Sequence, residues 1–335
     1  MATSNNIKKS NAAIFPFFVG CDRSGTTLFR AIFDSHPEMA IPGESFFIVP
    51  MARQRKLYEN HLGFSNELFV SDLFKYSSFC KWNISKESVM KLLTEIPPET
   101  YTDAVRRVFF LYAQIQGKSR YGDKTPKYVC DIPILAKLFP EARFIHIIRD
   151  GRNVALSIQE IGIKSGLFRF RNIGECAIHW RERVERGRKA GRQIGSERYL
   201  EVCYENLVEY PERTVRSLCE FIDLKFHNGM LQYFERANEL VASFKNPLIQ
   251  RNLFLPLTKN LRDWRHQMSK KDLALFEILA GSLLSELGYE RVLDKHGLMI
   301  NLNIYTQGFI LQTRNLIYPI LEKLMKWIKT VINIY

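Results

Sequence analysis

The first strong pattern in the chain is an unbroken apolar run, Phe15-Pro16-Phe17-Phe18-Val19, short enough for a strand buried on both faces. A glycine-bounded turn follows, and then Thr26–Ser35 places its apolar residues at helical spacing. The alternation returns at Arg143–Ile148, where RFIHII predicts a second strand. The helix-like PILAKLFPE precedes it, and RDGRNVALSIQ turns from it into another helix. A third strand is predicted at Tyr199–Cys203 (YLEVC). It leads into YENLVEYPERTVRSLCEFI, in which Pro211 marks a helix start. Residues 52–118 read as mostly helical, with charged faces and several aromatics. Strands separated by helices predict an α/β fold with a parallel sheet flanked by helices on both faces.

The turn after the first strand carries the first candidate chemistry. Gly20 and Gly25 are spaced as in a P-loop, but Thr26 stands where a nucleotide-binding loop of the Walker type has its lysine. Backbone N–H groups at such a turn, with the helix N-terminus behind them, form an anion site without any side chain. Gly20 and Gly25 permit the tight turn, and Ser24, Thr26 and Thr27 add hydroxyl donors. Arg23 can supply the missing cation, since a planar guanidinium offers an oxyanion two parallel donors. A second anion site is suggested by Arg149 at the end of the second strand and Ser157 in the helix after it, where open α/β sheets place ligand groups. Taken alone, those two residues read more readily as a surface arginine and a helix-facing serine. Two anion sites on one sheet suggest a ligand with two separated phosphate-like ends.

Composition narrows the partners. The chain has 335 residues, 46% of them hydrophobic, which is an ordinary globular balance. Lys and Arg number 48 against 35 Asp and Glu, a net charge of +13 that suits anionic substrates, a membrane surface or nucleic acid. No RNA-recognition, zinc-finger or helix-turn-helix signature is present, so no nucleic-acid partner is expected. The six cysteines are scattered and form no CxxC pair. With an N-terminus that lacks a signal-peptide layout, they predict a cytoplasmic protein with reduced thiols. His36, His146 and His179 have no metal-ligand spacing, and His146 alternates within a strand as a structural histidine would. No metal is expected.

The motifs RSGTT after the first strand and RDGRNVALS after a later one resemble the sulfotransferase family, which uses 3′-phosphoadenosine 5′-phosphosulfate as sulfuryl donor. YENLVEYPERTVRSLCEFIDL, RDWRHQMS and LLSELGY resemble later segments of the same family, so the likeness spans about residues 14–291. RSGTTLFRAIFDSHPEMAIPGES is most similar to the tyrosylprotein and carbohydrate branches. The resemblance implies a P-loop-like single domain over 14–295, with 1–13 outside it and a helical acceptor-side insertion at 52–118. It assigns Arg23, Ser24, Gly25, Thr26 and Thr27 to the 5′-phosphosulfate, and Arg149, Ser157 and Tyr204 to the 3′-phosphate end. Lys259 falls where the family's late segment supplies a basic contact, although the family's Arg-Lys-Gly triplet reads Leu257-Thr258-Lys259 here. Glu44, in PGES, matches a catalytic glutamate that accepts the acceptor's proton. Lys124, in GDKTPKY, matches a lysine near the bridging oxygen, with Asp123 as the substitute base. The implied product is 3′-phosphoadenosine 5′-phosphate.

Residues 296–335 lie outside the resemblance. Ile320, Leu321, Leu324, Trp327, Ile328, Val331 and Ile332 trace one helical face there, and Lys323, Lys326 and Lys329 lie on the other. Such a helix packs on the domain, on a second copy of the chain, or on an anionic membrane surface. Two other functions fit part of the sequence. A kinase or NTPase with a degenerate P-loop would need a magnesium-binding acid such as Asp150, and a non-catalytic basic protein would act through charge alone.

Overall fold

The computed structural model describes residues 14–61, 63–165, 170, 172–237, 253–258 and 262–292. The chain divides into two compact units, one built from residues 14–149 with 183–258 and the other from 150–182 with 262–292.

The first unit is organised by a parallel sheet of four strands: β1 (Phe15–Gly20), β2 (Asp123–Lys124), β3 (Ala142–Ile148) and β4 (Tyr199–Cys203). Their spatial order is β2-β1-β3-β4. The alternation of side chains along β1 explains why its sequence is apolar throughout. Phe15, Phe17 and Val19 enter one core, and Phe18 enters the other. The first core is closed by the helices Asn66–Leu73, Lys86–Glu95, Tyr101–Ile115 and Ile132–Leu138. The second is closed by Thr26–Asp34, Tyr204–Glu209 and Pro211–Phe221. Thr100 and Asp103 start Tyr101–Ile115 with a reciprocal capping box, and Pro211 occupies the first turn of its helix.

The three strands expected from the apolar runs are present, and the sheet has helices on both faces. β2 went unpredicted. It is two residues long, and neither is apolar, because it needs only to pair with the edge of β1 through Phe17 opposite Asp123 and Phe18 opposite Lys124. The aromatics of the helical stretch belong to the core. Phe69, Phe79 and Trp82 are buried, and Phe64, Phe74 and Tyr76 pack against the same cluster.

The second unit centres on buried charge. Gly151 opens the helix Gly151–Ser165, and a Cβ there would lie 2.4 Å from the Trp180 ring. Arg152 donates to both carboxylate oxygens of Asp150 at 3.0 and 2.8 Å and to Glu277 at 2.9 Å, and its guanidinium stacks 3.6 Å from the centroid of Trp264. Asp150 is therefore committed to Arg152, which is a poor arrangement for the magnesium ligand of a P-loop kinase. Lys259 and the amphipathic segment at the C-terminus lie outside the described residues.

Candidate functional site

The strand order decides where a ligand can sit. From β1 the chain passes to β2 on one side, whereas β3 and β4 continue on the other, so the direction of winding reverses beside β1. Open α/β sheets bind ligands at the carboxyl ends of the strands at such a reversal. The turn Cys21–Gly25 lies at that end of β1, and Arg149 directly follows β3.

The glycines of the turn have a steric reason. A Cβ on Gly20 would stand 2.5 Å from the carbonyl oxygen of Ile147 on β3. Gly25 has φ +96°, and a Cβ there would lie 2.4 Å from the ring of Tyr204. Arg23 adopts φ +69°, a left-handed conformation that arginine rarely takes. The helix Thr26–Asp34 begins with no side-chain cap and no acidic residue in its first turn. Its leading N–H groups thus remain available to an anion. The Ser24 hydroxyl is fully buried and, among the described residues, has no hydrogen-bond partner. A buried polar atom without a partner is costly, and a ligand oxygen would relieve that cost. Uncapped helix, glycine cradle and orphan hydroxyl together fit a phosphate or phosphosulfate group.

Two of the residues expected at the other phosphate end are brought to this turn. Tyr204, the first residue of the helix after β4, lays its ring against Gly25. The Arg149 guanidinium stacks 4.3 Å from the centroid of that ring and donates to the carbonyl of Arg23 at 3.5 Å. Ser157 is buried in the helix Gly151–Ser165, which belongs to the second unit.

The candidate acceptor side is built on β2. Lys124 is only 1% exposed, and its Nζ lies 2.6 Å from the Glu44 carboxylate, which is 32% exposed. The segment carrying Glu44 is fastened to the chain after β2 by buried hydrogen bonds. The Ser45 N–H donates to Thr125 Oγ1 at 2.9 Å, the Ser45 hydroxyl donates to the Tyr128 oxygen at 3.1 Å, and Ser78 donates to the Ser45 carbonyl at 3.0 Å. Thr125 in turn donates to Asp123 at 3.2 Å. Asp123 is fully buried, and burial pushes its carboxyl up to about 7, with hydrogen bonds from Ser45 and Thr125 and the Lys124 charge pulling the other way.

The histidines are structural. His36 Nε2 donates to the Lys225 carbonyl at 2.7 Å while its Nδ1 accepts from the Glu38 N–H, and burial holds it below its usual range. His146 Nδ1 lies 2.6 Å from the Tyr199 hydroxyl, and burial lowers its pKa to about 3. His179 lies against Phe170, with ring centroids 4.9 Å apart.

A sequence profile of the sulfotransferase family matches residues 16–228. The chain belongs to the sulfotransferase family. The matched stretch encloses the Arg23–Thr27 turn, Glu44, Lys124, Arg149, Ser157 and Tyr204, and it ends before Trp264. Among curated sulfotransferases, the protein-tyrosine sulfotransferase of Drosophila melanogaster is 26% identical over 231 residues, or 67% of this chain and 40% of the fly protein. Protein-tyrosine sulfotransferase 2 of Gallus gallus is 26% identical over 240 residues, covering 70% of this chain and 58% of its own length. This chain therefore spans about half the length of these relatives. A putative protein-tyrosine sulfotransferase of Caenorhabditis briggsae, also 26% identical, is matched over 84% of this chain and 91% of its own. Two solved structures share the fold. The sulfotransferase domain of the Synechococcus PCC 7002 olefin synthase has a TM-score of 0.54 at 23% identity, over 82% of this chain and 94% of that domain. The corresponding domain of the curacin biosynthetic pathway has a TM-score of 0.57 at 19% identity, over 83% and 99%.

Proposed function

We propose that the protein transfers the sulfuryl group of 3′-phosphoadenosine 5′-phosphosulfate to an acceptor hydroxyl. The observation that carries this reading is the anion cradle at the end of β1, in which the Ser24 hydroxyl is buried without a partner and the helix start is uncapped. Beside it, β2 supplies a buried lysine paired with a half-exposed carboxylate. Curated relatives named as sulfotransferases support the activity.

The donor, when bound, presents a sulfur whose bond to the phosphate oxygen is weak enough to break in line. The residues around it have separate tasks. Gly20 and Gly25 let the backbone approach, and the N–H groups of the turn with Ser24, Thr26 and Thr27 hold the 5′-phosphosulfate. Arg23 balances its charge, while Arg149, with Tyr204, holds the 3′-phosphate. Glu44 accepts the proton of the acceptor hydroxyl as its oxygen bonds to sulfur. The electron pair of the breaking S–O bond goes to the phosphate oxygen, where Lys124 stabilises the charge. An ammonium has three donors, so Lys124 can hold Glu44 in place and still meet that oxygen. Asp123, sealed beneath Thr125, supports this pair better than it could serve as a base. Relatives named as protein-tyrosine sulfotransferases make a peptide tyrosine one candidate acceptor, beside sugar and small-molecule alcohols.

The test is a thermal melt with 3′-phosphoadenosine 5′-phosphate and, separately, ATP with magnesium. The former should raise the melting temperature and the latter leave it unchanged. Stabilisation by ATP and magnesium alone would return the P-loop kinase reading.

A further inference from the structure

Four non-glycine residues among those described have positive φ: Arg23, Phe46, Asn83 and Asp223. Asparagine and aspartate take this conformation at small cost, whereas for a bulky aromatic it is an outlier. Arg23 belongs to the donor turn. Phe46, at φ +48°, lies two residues after Glu44. Its neighbours force it there. Ser45 is fixed by Thr125, Tyr128 and Ser78. Phe47 is fully buried, with its ring against Tyr76, Phe79 and Trp82. With both flanking residues anchored, the chain leaves Phe46 outside, 38% exposed, and its ring joins none of these aromatic contacts. Backbone strain that the surroundings over-determine is concentrated at functional sites. An exposed aromatic could be avoided here by any polar residue, and a glycine would remove the strain.

We infer that Phe46 is the acceptor-contacting residue of the site, presenting an apolar ring beside Glu44 that selects acceptors carrying an aromatic or apolar surface next to their hydroxyl. The inference rests on the reading of Glu44 as the base. The aromatics of the helical insertion do not compete for this role, because those rings are packed into the core. A ring stacked on Phe46 gains what aromatic pairs gain elsewhere, a preference of roughly 3- to 10-fold.

The experiment compares wild type, Phe46→Ala and Phe46→Tyr with 2-naphthol and methyl glucoside as probes. Binding of 2-naphthol in the presence of 3′-phosphoadenosine 5′-phosphate is followed by fluorescence, and sulfuryl transfer to each probe is followed with labelled donor. Phe46→Ala should weaken 2-naphthol binding and raise its KM by roughly 3- to 10-fold. The melting shift caused by the product nucleotide should not change, and KM for methyl glucoside should rise by less than KM for 2-naphthol. Phe46→Tyr, which keeps the ring, should behave as wild type. Equal 2-naphthol binding by wild type and Phe46→Ala, or no binding by wild type, would overturn the inference. If naphthol binding depends on the ring but Glu44→Gln transfers at the wild-type rate, the base assignment fails while the acceptor contact stands.

Discussion

Replacing Glu44 by Gln tests the transfer step with little change of shape. In the folded protein the Glu44 carboxylate is 2.6 Å from a lysine that is 1% exposed, so the substitution acts on both partners. Glutamine still offers a carbonyl oxygen to Lys124 Nζ but removes the compensating charge. Breaking a fully buried pair costs about 3–5 kcal/mol. Glu44 is 32% exposed and retains a hydrogen bond as glutamine, so about 1–2 kcal/mol of stability should be lost here. The effect on rate should be larger, since a positioned base contributes about 10²–10⁴-fold. The assay pairs a thermal melt with initial rates of sulfuryl transfer to an unactivated alcohol at saturating donor. The melt should fall by a few degrees, the shift caused by 3′-phosphoadenosine 5′-phosphate should persist, and turnover should drop by at least a hundredfold. Wild-type turnover in a stably folded Glu44→Gln variant would refute the reasoning and move the base elsewhere.

Three further outcomes are expected. The Asp123 carboxyl is raised to about 7 by burial, so the folded state holds a proton that the unfolded state releases near 4. Stability should therefore decline as pH rises from about 4 to about 7, by an amount on the order of 4 kcal/mol, and Asp123→Asn should flatten that slope in melts across the range. Gly25→Ala would drive a Cβ to 2.4 Å from the Tyr204 ring at φ +96°, so product-nucleotide binding measured by calorimetry should weaken at least tenfold while the fold survives. Arg152→Ala would leave Asp150 and Glu277 buried without their cation, and denaturant unfolding should show a loss of about 3–5 kcal/mol.

The parts of the fold that announce themselves by periodicity were legible in the sequence. β1 and β3 are largely apolar because the sheet buries them, and β4, in which only Val202 is buried and Glu201 is exposed, runs from Tyr199 to Cys203 as expected. β2 left no such trace. Its two polar residues are held by pairing with β1 and by the long-range contact of Lys124 with Glu44 rather than by any local preference. The turn after β1 was readable because glycine spacing has a steric meaning, but the contact of Tyr204 with Gly25 was not, since it joins strand ends far apart in sequence. Phe46 was missed. Its exposure depends on Ser45 and Phe47 being anchored by Thr125, Tyr128 and Trp82, partners far away in sequence.

The Tyr204 ring occupies the volume that a side chain at residue 25 would need, and the guanidinium of Arg149 rests on the same ring. The turn after β1 is therefore one surface of a three-part stack whose members come from the ends of β1, β3 and β4. A graft of residues 20–27 into another sheet would carry the glycines but not the ring that shapes them. Such a transplant should lose the shape of the turn unless the tyrosine and the arginine travel with it, which makes the smallest portable unit of this site three strand ends wide.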